Sequence, residues 1–379
     1  MKKTITLLGS TGSIGRQTAD VVRKSKEYEI IALAAGENVR EAEKQAREFR
    51  PRLLCMGSEE AARDLRTRLA DLEGIRVLGG QEGLRELIQS ERPDIFAISI
   101  GGMAALRPTL WAIESGARIA LSNKESIVTA GHIMMDAVER SGAELIPVDS
   151  EHSAVFQCLQ GEDRSRVRKL LITASGGPFR LFLKEELAGV TPQQALQHPN
   201  WSMGAKITID SSTLVNKGLE VMEAHHLFGM SYDRIQVVVH PQSIIHSMVE
   251  YSDGSVKAQL GLPDMRLPIE YALGYPRRGE LITEEADFWN MPALTFEKPS
   301  FEKFPALGLA YEAGRAGGIL PTVFNTADEL AVADFLAGRI SYPAITERIA
   351  DAMAACRNIS DPTLDDILAA ERELREKKK

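Results

Sequence analysis

Along the first 150 residues, short apolar runs alternate with stretches whose apolar positions recur at helical spacing. The runs ITLLG (5–9), EIIALAAG (29–36), PRLLCMG (51–57), IRVLGG (75–80), DIFAISIGG (94–102), ARIALSN (117–123) and AELIPVD (143–149) read as strands. Between them, SIGRQTADVVRK and NVREAEKQAREF carry the period of amphipathic helices. Nearly continuous apolar strands alternating with helices predict a parallel sheet covered on both faces. From Ser150 to Tyr275 the pattern changes to α+β, with strands in VVVHPQSIIHSMVEYSD and SVKAQLGL and helices at 152–160 and 212–228. Residues 276–304 are rich in proline and aromatics without a period, as in a linker. In the remainder, Thr326 with Glu329 forms a capping-box pattern and Gly338 a stop signal. ALGLAYEAGRAG, AITERIADAMAAC and LDDILAAERELREK add three more helical patterns, which together predict a four-helix bundle. The domain scheme is therefore 1–149, 150–275, 276–304 and 305–379.

Composition narrows the classes. The chain has 379 residues, 44% hydrophobic and 26% charged, an ordinary globular mixture sufficient for two or three domains. With 45 basic and 53 acidic residues the net charge is −8, and no basic stripe is present, so nucleic acid is not an expected partner. The tail Lys377–Lys379 reads as a solvated end. Three widely spaced cysteines, Cys55, Cys158 and Cys356, lack metal-site spacing and read as reduced thiols of a cytoplasmic protein. The N-terminal apolar run is too short for a signal peptide, and no stretch approaches the ~20 apolar residues of a membrane span.

Two constellations carry candidate chemistry. The first strand leads into Gly9-Ser-Thr-Gly12-Ser-Ile-Gly15 and then a helix. Glycines permit the tight turn, and a helix N-terminus offers N–H groups and a positive dipole end to a pyrophosphate. The spacing GxxGxxG varies on the dinucleotide fingerprint, and its strand–turn–helix context makes the N-terminal sheet Rossmann-like. The second strand ends at Gly36-Glu37-Asn38, where a ribose would sit.

The second constellation begins at ELIPVDSEHS (144–153), where Asp149 and Glu151 flank a serine at the end of the last parallel strand. In an extended stretch both carboxylates would point to one side and suit a hard divalent cation. The same residues would equally serve as the acidic start of a helix over SAVFQCLQ. Farther on, HPNWSMGAKITIDSSTLVNKGLEVME (198–223) contains a helical face with Asn216, Lys217 and Glu220, and Ser212 as a candidate cap for a helix to Phe228 closed by Gly229. An amide, an ammonium and a carboxylate beside two serines suit a phosphorylated polyol, with Glu220 as a third metal ligand. A solvated face with a local Lys–Glu pair is the alternative. Trp201 and Met203 lie in a loop that is either a lid or a buried anchor.

At these residues the chain resembles the 1-deoxy-D-xylulose 5-phosphate reductoisomerases. The stretches that carry the resemblance are GSTGSIG, LSNKES, PVDSEH, ASGGPFR, HPNWSMG, DSSTLVNKGLE, HPQSIIHSMVEY and LGLPDMR, in order along the whole chain. It implies a nucleotide domain, a catalytic and dimerisation domain, a linker and a C-terminal bundle, assembled as a homodimer. It implies that Asp149, Glu151 and Glu220 bind one Mn²⁺ or Mg²⁺, and that Thr11, Gly12, Ser13 and Ile14 bind the pyrophosphate of NADPH. Gly36, Glu37 and Asn38 then fall at the adenosine ribose, and Asn123, Glu125 and Gly204 at further cofactor contacts. Lys124 and Ser150 fall at the substrate. Ser175, Ser211, Asn216 and Lys217 hold its phosphate end, and His198 stands at the start of a lid formed by Trp201 and Met203. Glu37 departs from members with a basic residue there, which weakens the expected preference for NADPH over NADH.

The implied reaction turns deoxyxylulose phosphate into 2-C-methyl-D-erythritol 4-phosphate, by breaking and re-forming a carbon–carbon bond and reducing the resulting aldehyde. A chelated metal would stabilise the negative charge that develops on substrate oxygens, with Lys124 aiding electrostatically or in proton transfer. Two rival readings are a semialdehyde or homoserine dehydrogenase and a non-catalytic nucleotide-binding regulator. The first, in its acylating form, needs a nucleophilic cysteine at a strand end, whereas Cys158 lies within a helical pattern. The second leaves the carboxylates and the polar helix face unexplained.

Overall fold

The computed structural model describes residues 2–201 and 203–377. Strands β1 (Lys3–Leu8), β2 (Tyr28–Ala35), β3 (Leu53–Met56), β4 (Arg76–Gly79), β5 (Ile95–Ile98), β6 (Arg118–Leu121) and β7 (Glu144–Pro147) alternate with helices. These are α1 (Ser13–Lys24), α2 (Val39–Phe49), α3 (Glu59–Arg68), α4 (Gly80–Ser90), α5 (Leu106–Ile113) and α6 (Lys124–Ser141). Next come α7 (Ser150–Cys158), β8 (Val167–Ala174), α8 (Pro192–Ala195), α9 (Ala205–Thr213), α10 (Val215–Phe228), β9 (Ile235–Val239), β10 (Ile245–Tyr251), β11 (Val256–Leu260) and α11 (Arg266–Gly274). The chain closes with α12 (Ala306–Ala316), α13 (Leu320–Leu336), α14 (Pro343–Ala355) and α15 (Leu364–Lys377). Lys378 and Lys379 of the basic tail lie outside the described residues.

The described chain forms two compact units. One comprises Met1–Ser126, Met134–Ser153 and Asp264–Glu285. Its seven strands are ordered β4-β3-β2-β1-β5-β6-β7 and all pair in parallel. The seven apolar runs coincide with these seven strands; β1 and β2 begin before their runs, at Lys3 and Tyr28, and the other five are shorter than theirs. Strand order reverses between β2-β1 and β1-β5, so a crevice opens at the C-terminal end of β1, the place where open α/β sheets take ligands. Helix α11 belongs to this unit, and its end is gripped by cations from the sheet. Lys3 Nζ donates to the Leu273 and Gly274 carbonyls at 3.2 and 3.3 Å, and Arg118 Nη1 to the Tyr275 carbonyl at 2.6 Å.

The other unit comprises Ile127–Ile133, Ala154–Pro263 and Ala286–Lys379. Its four-stranded sheet is ordered β11-β10-β8-β9, with β8–β9 parallel and the other pairs antiparallel. The sequence pattern did not anticipate β8, whose Arg168 and Lys169 interrupt the apolar alternation. The four C-terminal helices are present, and α12, α13 and α14 share one hydrophobic core with this sheet. Phe324, Phe335 and Tyr342 pack in the same cluster as Phe179, Leu219 and Val237. Residues 286–304 have no strand or helix, only a bridge from Glu297 to Val239.

Two local expectations are corrected. Ser212 does not cap a helix to Phe228. It lies inside α9, donating to the Ile209 carbonyl at 2.7 Å, and the helix breaks at Leu214, which is left-handed with φ 62°. Thr326 and Glu329 are not a capping box either, since both lie well inside α13. Gly229 does close α10, with φ 65°.

Candidate active site

In the first unit the glycine loop has the anticipated strand–turn–helix form. Gly9 has φ +83°, and a Cβ there would lie 2.5 Å from the Ser99 carbonyl carbon. A Cβ on Gly15 would lie 2.2 Å from the Gly9 carbonyl oxygen, so the first turn of α1 can close onto the loop only without a side chain. Gly12 is the N-cap, and the first turn holds no acidic residue. Its N–H groups have no intrahelical acceptor and sit at the positive end of the helix dipole. Thr11, Ser13 and Ile14 are exposed or half-buried around it, an arrangement suited to an anion at the switch point of the sheet.

Gly36, Glu37 and Asn38 are exposed at the end of β2. Glu37 accepts a hydrogen bond from Ser58 Oγ at 2.8 Å, and Asn38 caps α2 by accepting from the Glu41 N–H at 3.2 Å. Asn123 is a buried cap of α6. Its Oδ1 accepts from the Ser126 N–H at 2.9 Å, and its Nδ2 donates to the Gly102 carbonyl at 3.1 Å and to Glu125 at 2.8 Å. Asn123 and Glu125 are thereby fixed at the C-terminal edge of β5 and β6.

The acidic pair follows β7. Asp149 is buried, with Lys124 Nζ 2.7 Å from its Oδ2 and His152 Nδ1 at 3.9 Å. The chain does not remain extended here. It enters α7 at Ser150, so Glu151 is in a first helical turn and accepts from Ser150 Oγ at 2.6 Å. The two carboxylates do converge, with oxygens within 4.8 Å of each other, but across a helix start and not along an extended strand, so the helix-start reading of Glu151 holds as well. Sequence reading passed over His152, although its spacing from Asp149 was visible and it is completely buried.

In the second unit Ser175 ends β8 in a loop with Gly176 and Gly177 both at positive φ. A Cβ on Gly177 would meet Ser212 Cα at 2.9 Å and the Ser211 carbonyl oxygen at 3.0 Å, so this close approach packs the Ser175 loop against the end of α9. After the break at Leu214, Asn216 and Lys217 stand in the first turn of α10, and both donate to Glu220. Lys217, Glu220 and Glu223 are all buried, giving two carboxyls to one ammonium on this face. The carboxylates after β7 and on α10 are hard oxygen donors, the kind that suits a divalent cation such as Mg²⁺ or Mn²⁺.

His198 is oriented by its neighbours. Its Nδ1 accepts the N–H groups of Asn200 and Trp201 at 3.2 and 3.0 Å, which leaves Nε2 to donate to Ser175 Oγ at 3.0 Å. Asn200 Nδ2 ties the loop to the Pro241 carbonyl at 2.6 Å and to Ser243 Oγ at 2.8 Å. Trp201 and Met203 are half-buried and Gly204 is exposed. Cys158 is buried at the end of α7, and burial pushes its thiol up to about 11, so it is not the activated nucleophile an acylating semialdehyde enzyme requires.

Three sequence models match in order along the chain: 1-deoxy-D-xylulose 5-phosphate reductoisomerase at 5–131, its C-terminal domain at 145–228, and the DXP reductoisomerase C-terminal domain at 260–377. The reductoisomerase of Lachnospira eligens is 51% identical over 370 residues, covering 98% of this chain and 97% of that protein. That of Caldanaerobacter subterraneus subsp. tengcongensis is 53% identical over 379 residues, covering 100% and 98%. This chain belongs to the 1-deoxy-D-xylulose 5-phosphate reductoisomerase family. Solved structures of the family agree with the fold. The Zymomonas mobilis reductoisomerase in complex with NADPH superposes with TM-score 0.93 at 42% identity, covering 99% of this chain and 98% of that one. A reductoisomerase in complex with NADPH, fosmidomycin and magnesium superposes with TM-score 0.94 at 38% identity, covering 99% and 97%.

Proposed function

We propose that this protein converts 1-deoxy-D-xylulose 5-phosphate into 2-C-methyl-D-erythritol 4-phosphate with oxidation of NADPH, in the non-mevalonate route to isoprenoids. The observation that carries the reading is family membership over 98% or more of the chain. A divalent cation, with Asp149, Glu151 and Glu220 as its ligands, supplies Lewis-acid stabilisation of substrate oxygens, and NADPH supplies the hydride.

The chain's own groups do the rest. Ser175, Ser211, Asn216 and Lys217 hold the phosphate, whose binding energy orients the reacting carbons. The Nζ of Lys124, fixed by Asp149, offers positive charge or a proton to oxygens on which negative charge develops. Ser150 positions the substrate beside Glu151. His198, Trp201 and Met203 cover the substrate and exclude water from the aldehyde. Thr11, Gly12, Ser13 and Ile14 receive the pyrophosphate, Gly36, Glu37 and Asn38 the adenosine ribose, and Asn123, Glu125 and Gly204 further parts of the cofactor.

The working form we propose is a cytoplasmic homodimer. Strand β11 is an uncovered sheet edge with an exposed face, and Phe288, Trp289 and Phe296 are exposed in the same unit, Trp289 at 96%. A free sheet edge and large apolar groups open to water each favour association. Three free cysteines fit a reducing compartment, and among the described residues no helix is long and apolar enough to cross a membrane. The deciding experiment is NADPH oxidation by the purified protein. Turnover must depend on both added Mn²⁺ or Mg²⁺ and deoxyxylulose phosphate. Oxidation that ignores either one rejects the reading, and light scattering of the same sample reports the oligomer.

A further inference from the structure

Helix α9 carries Ser211 near its end and begins directly after Gly204, the last residue of the covering loop. It has nine residues, no side-chain cap, and exposed or half-buried residues through its first turn, so it has little intrinsic stability. What holds it comes from far along the chain. Lys206 Nζ lies 2.6 Å from Asp210 Oδ2, one turn on, and 2.9 Å from Asp328 Oδ2 on α13. Asp328 is 0% exposed and Asp210 2%. At the other end of α9, Tyr342 Oη donates to Ser212 Oγ at 3.2 Å.

Two buried carboxylates brought together repel unless a cation lies between them, and a buried charge tolerates no loss of its partner. The ammonium of Lys206 therefore has one favourable position, and that position fixes the start of α9. We infer that the Lys206–Asp210–Asp328 triad is a positioning device. It clamps α9 to the C-terminal helices, so that Ser211 is presented in register and Gly204, the N-cap of α9, is held in place. None of the three residues is placed here in contact with substrate, and the inference rests on the functional reading above.

The test uses the full-length enzyme and three variants. Asp328→Asn keeps the shape and leaves the Lys206–Asp210 pair, so it folds even if Lys206→Met does not. Lys206→Arg keeps the charge. Chymotryptic cleavage at Trp201 in the ligand-free protein reads the loop without requiring turnover. Steady-state kinetics then separate KM from kcat. The expected result for Asp328→Asn is faster cleavage at Trp201 and a KM for the sugar phosphate raised about tenfold, with a smaller change in kcat and in Tm. Lys206→Arg should restore wild-type cleavage and KM. Unchanged cleavage and KM in Asp328→Asn, with at most a lower Tm, would overturn the inference and leave the triad a purely structural contact. An inactive wild type with accelerated cleavage in the variant would instead reject the functional reading and keep the clamp.

Discussion

The Nζ of Lys124 and the Oδ2 of Asp149 lie 2.7 Å apart, both buried, joining the start of α6 to the segment after β7. One ammonium thus meets a proposed metal ligand directly; Glu151 and Glu220 are the other two proposed ligands. Neutral isosteres remove charge with little change of shape. Asp149→Asn, Glu151→Gln and Glu220→Gln should each lower kcat/KM by more than ~100-fold, since even a supporting partner of a metal ligand is worth about 10–100-fold. Circular dichroism should remain native. Near-native turnover of any one at low Mn²⁺ would remove that residue from the ligand set.

The close approach of Gly15 to the Gly9 carbonyl gives a second expectation. Gly15→Ala forces the loop and α1 apart and should cost roughly 1–3 kcal/mol as an overpacked contact, together with most of the NADPH affinity. Gly36 is the control. No atom lies within 4 Å of a Cβ placed there, so Gly36→Ala should fold normally, and any lost affinity would report contact with the cofactor. Thermal melts and fluorescence titration with NADPH separate the two effects. Full NADPH affinity in Gly15→Ala would exclude the loop from the cofactor site.

Glu37 bears on cofactor choice. It is exposed and bonded to Ser58 Oγ. Two unit charges about 4 Å apart interact by roughly 4 kcal/mol at an effective dielectric near 20, and exposure reduces this. Glu37→Lys should lower the KM for NADPH several-fold and leave NADH little changed. Measuring both cofactors on both proteins decides the matter, because an unaltered ratio means that Glu37 does not face the ribose.

Glu270 predicts a pH dependence of stability. It is buried on α11, accepts from Tyr28 Oη at 3.3 Å, and lies against Gly279. Burial raises its carboxyl from 4.5 to about 7; Glu27 and Glu280 add to the rise, and Tyr28 and Lys3 oppose it. Between those two values the folded state binds more protons at this site than the unfolded one, so the stability Glu270 contributes is greatest below 4.5 and is lost as pH rises through about 7. Glu270→Gln cannot lose that proton. In urea titrations at pH 5 and pH 8, the variant should lose less stability than the wild type over this interval. Equal losses would place the Glu270 carboxyl in a solvated environment.

The parts of the site that lie close together in sequence were legible there. GSTGSIG declares itself because a tight turn and a close helix approach admit only glycine, and Gly9 and Gly15 both show that demand. Asn216, Lys217 and Glu220 share a face because helical spacing alone dictates it. Other features misled or gave no sign. Leu214 adopts the left-handed conformation without being glycine or asparagine. Its side chain is buried, and packing outweighs a backbone cost of roughly 1–2 kcal/mol. Thr326 and Glu329 have cap spacing, yet α13 runs through them because its buried face continues on both sides.

The sequence by itself determined the seven parallel strands and their helices, since a strand buried on both faces must be apolar throughout and a covering helix must be amphipathic. It also determined the family, because the stretches that build the site are short, specific and ordered. Only the tertiary structure decided that Glu151 begins a helix, that His198 turns its Nε2 toward Ser175, and that Lys206 lies between Asp210 and Asp328. Those outcomes depend on which distant groups share a buried space. There, each polar atom must find its partner wherever the fold has placed it, 118 positions away for Asp210 and Asp328, and local periodicity carries no record of that distance.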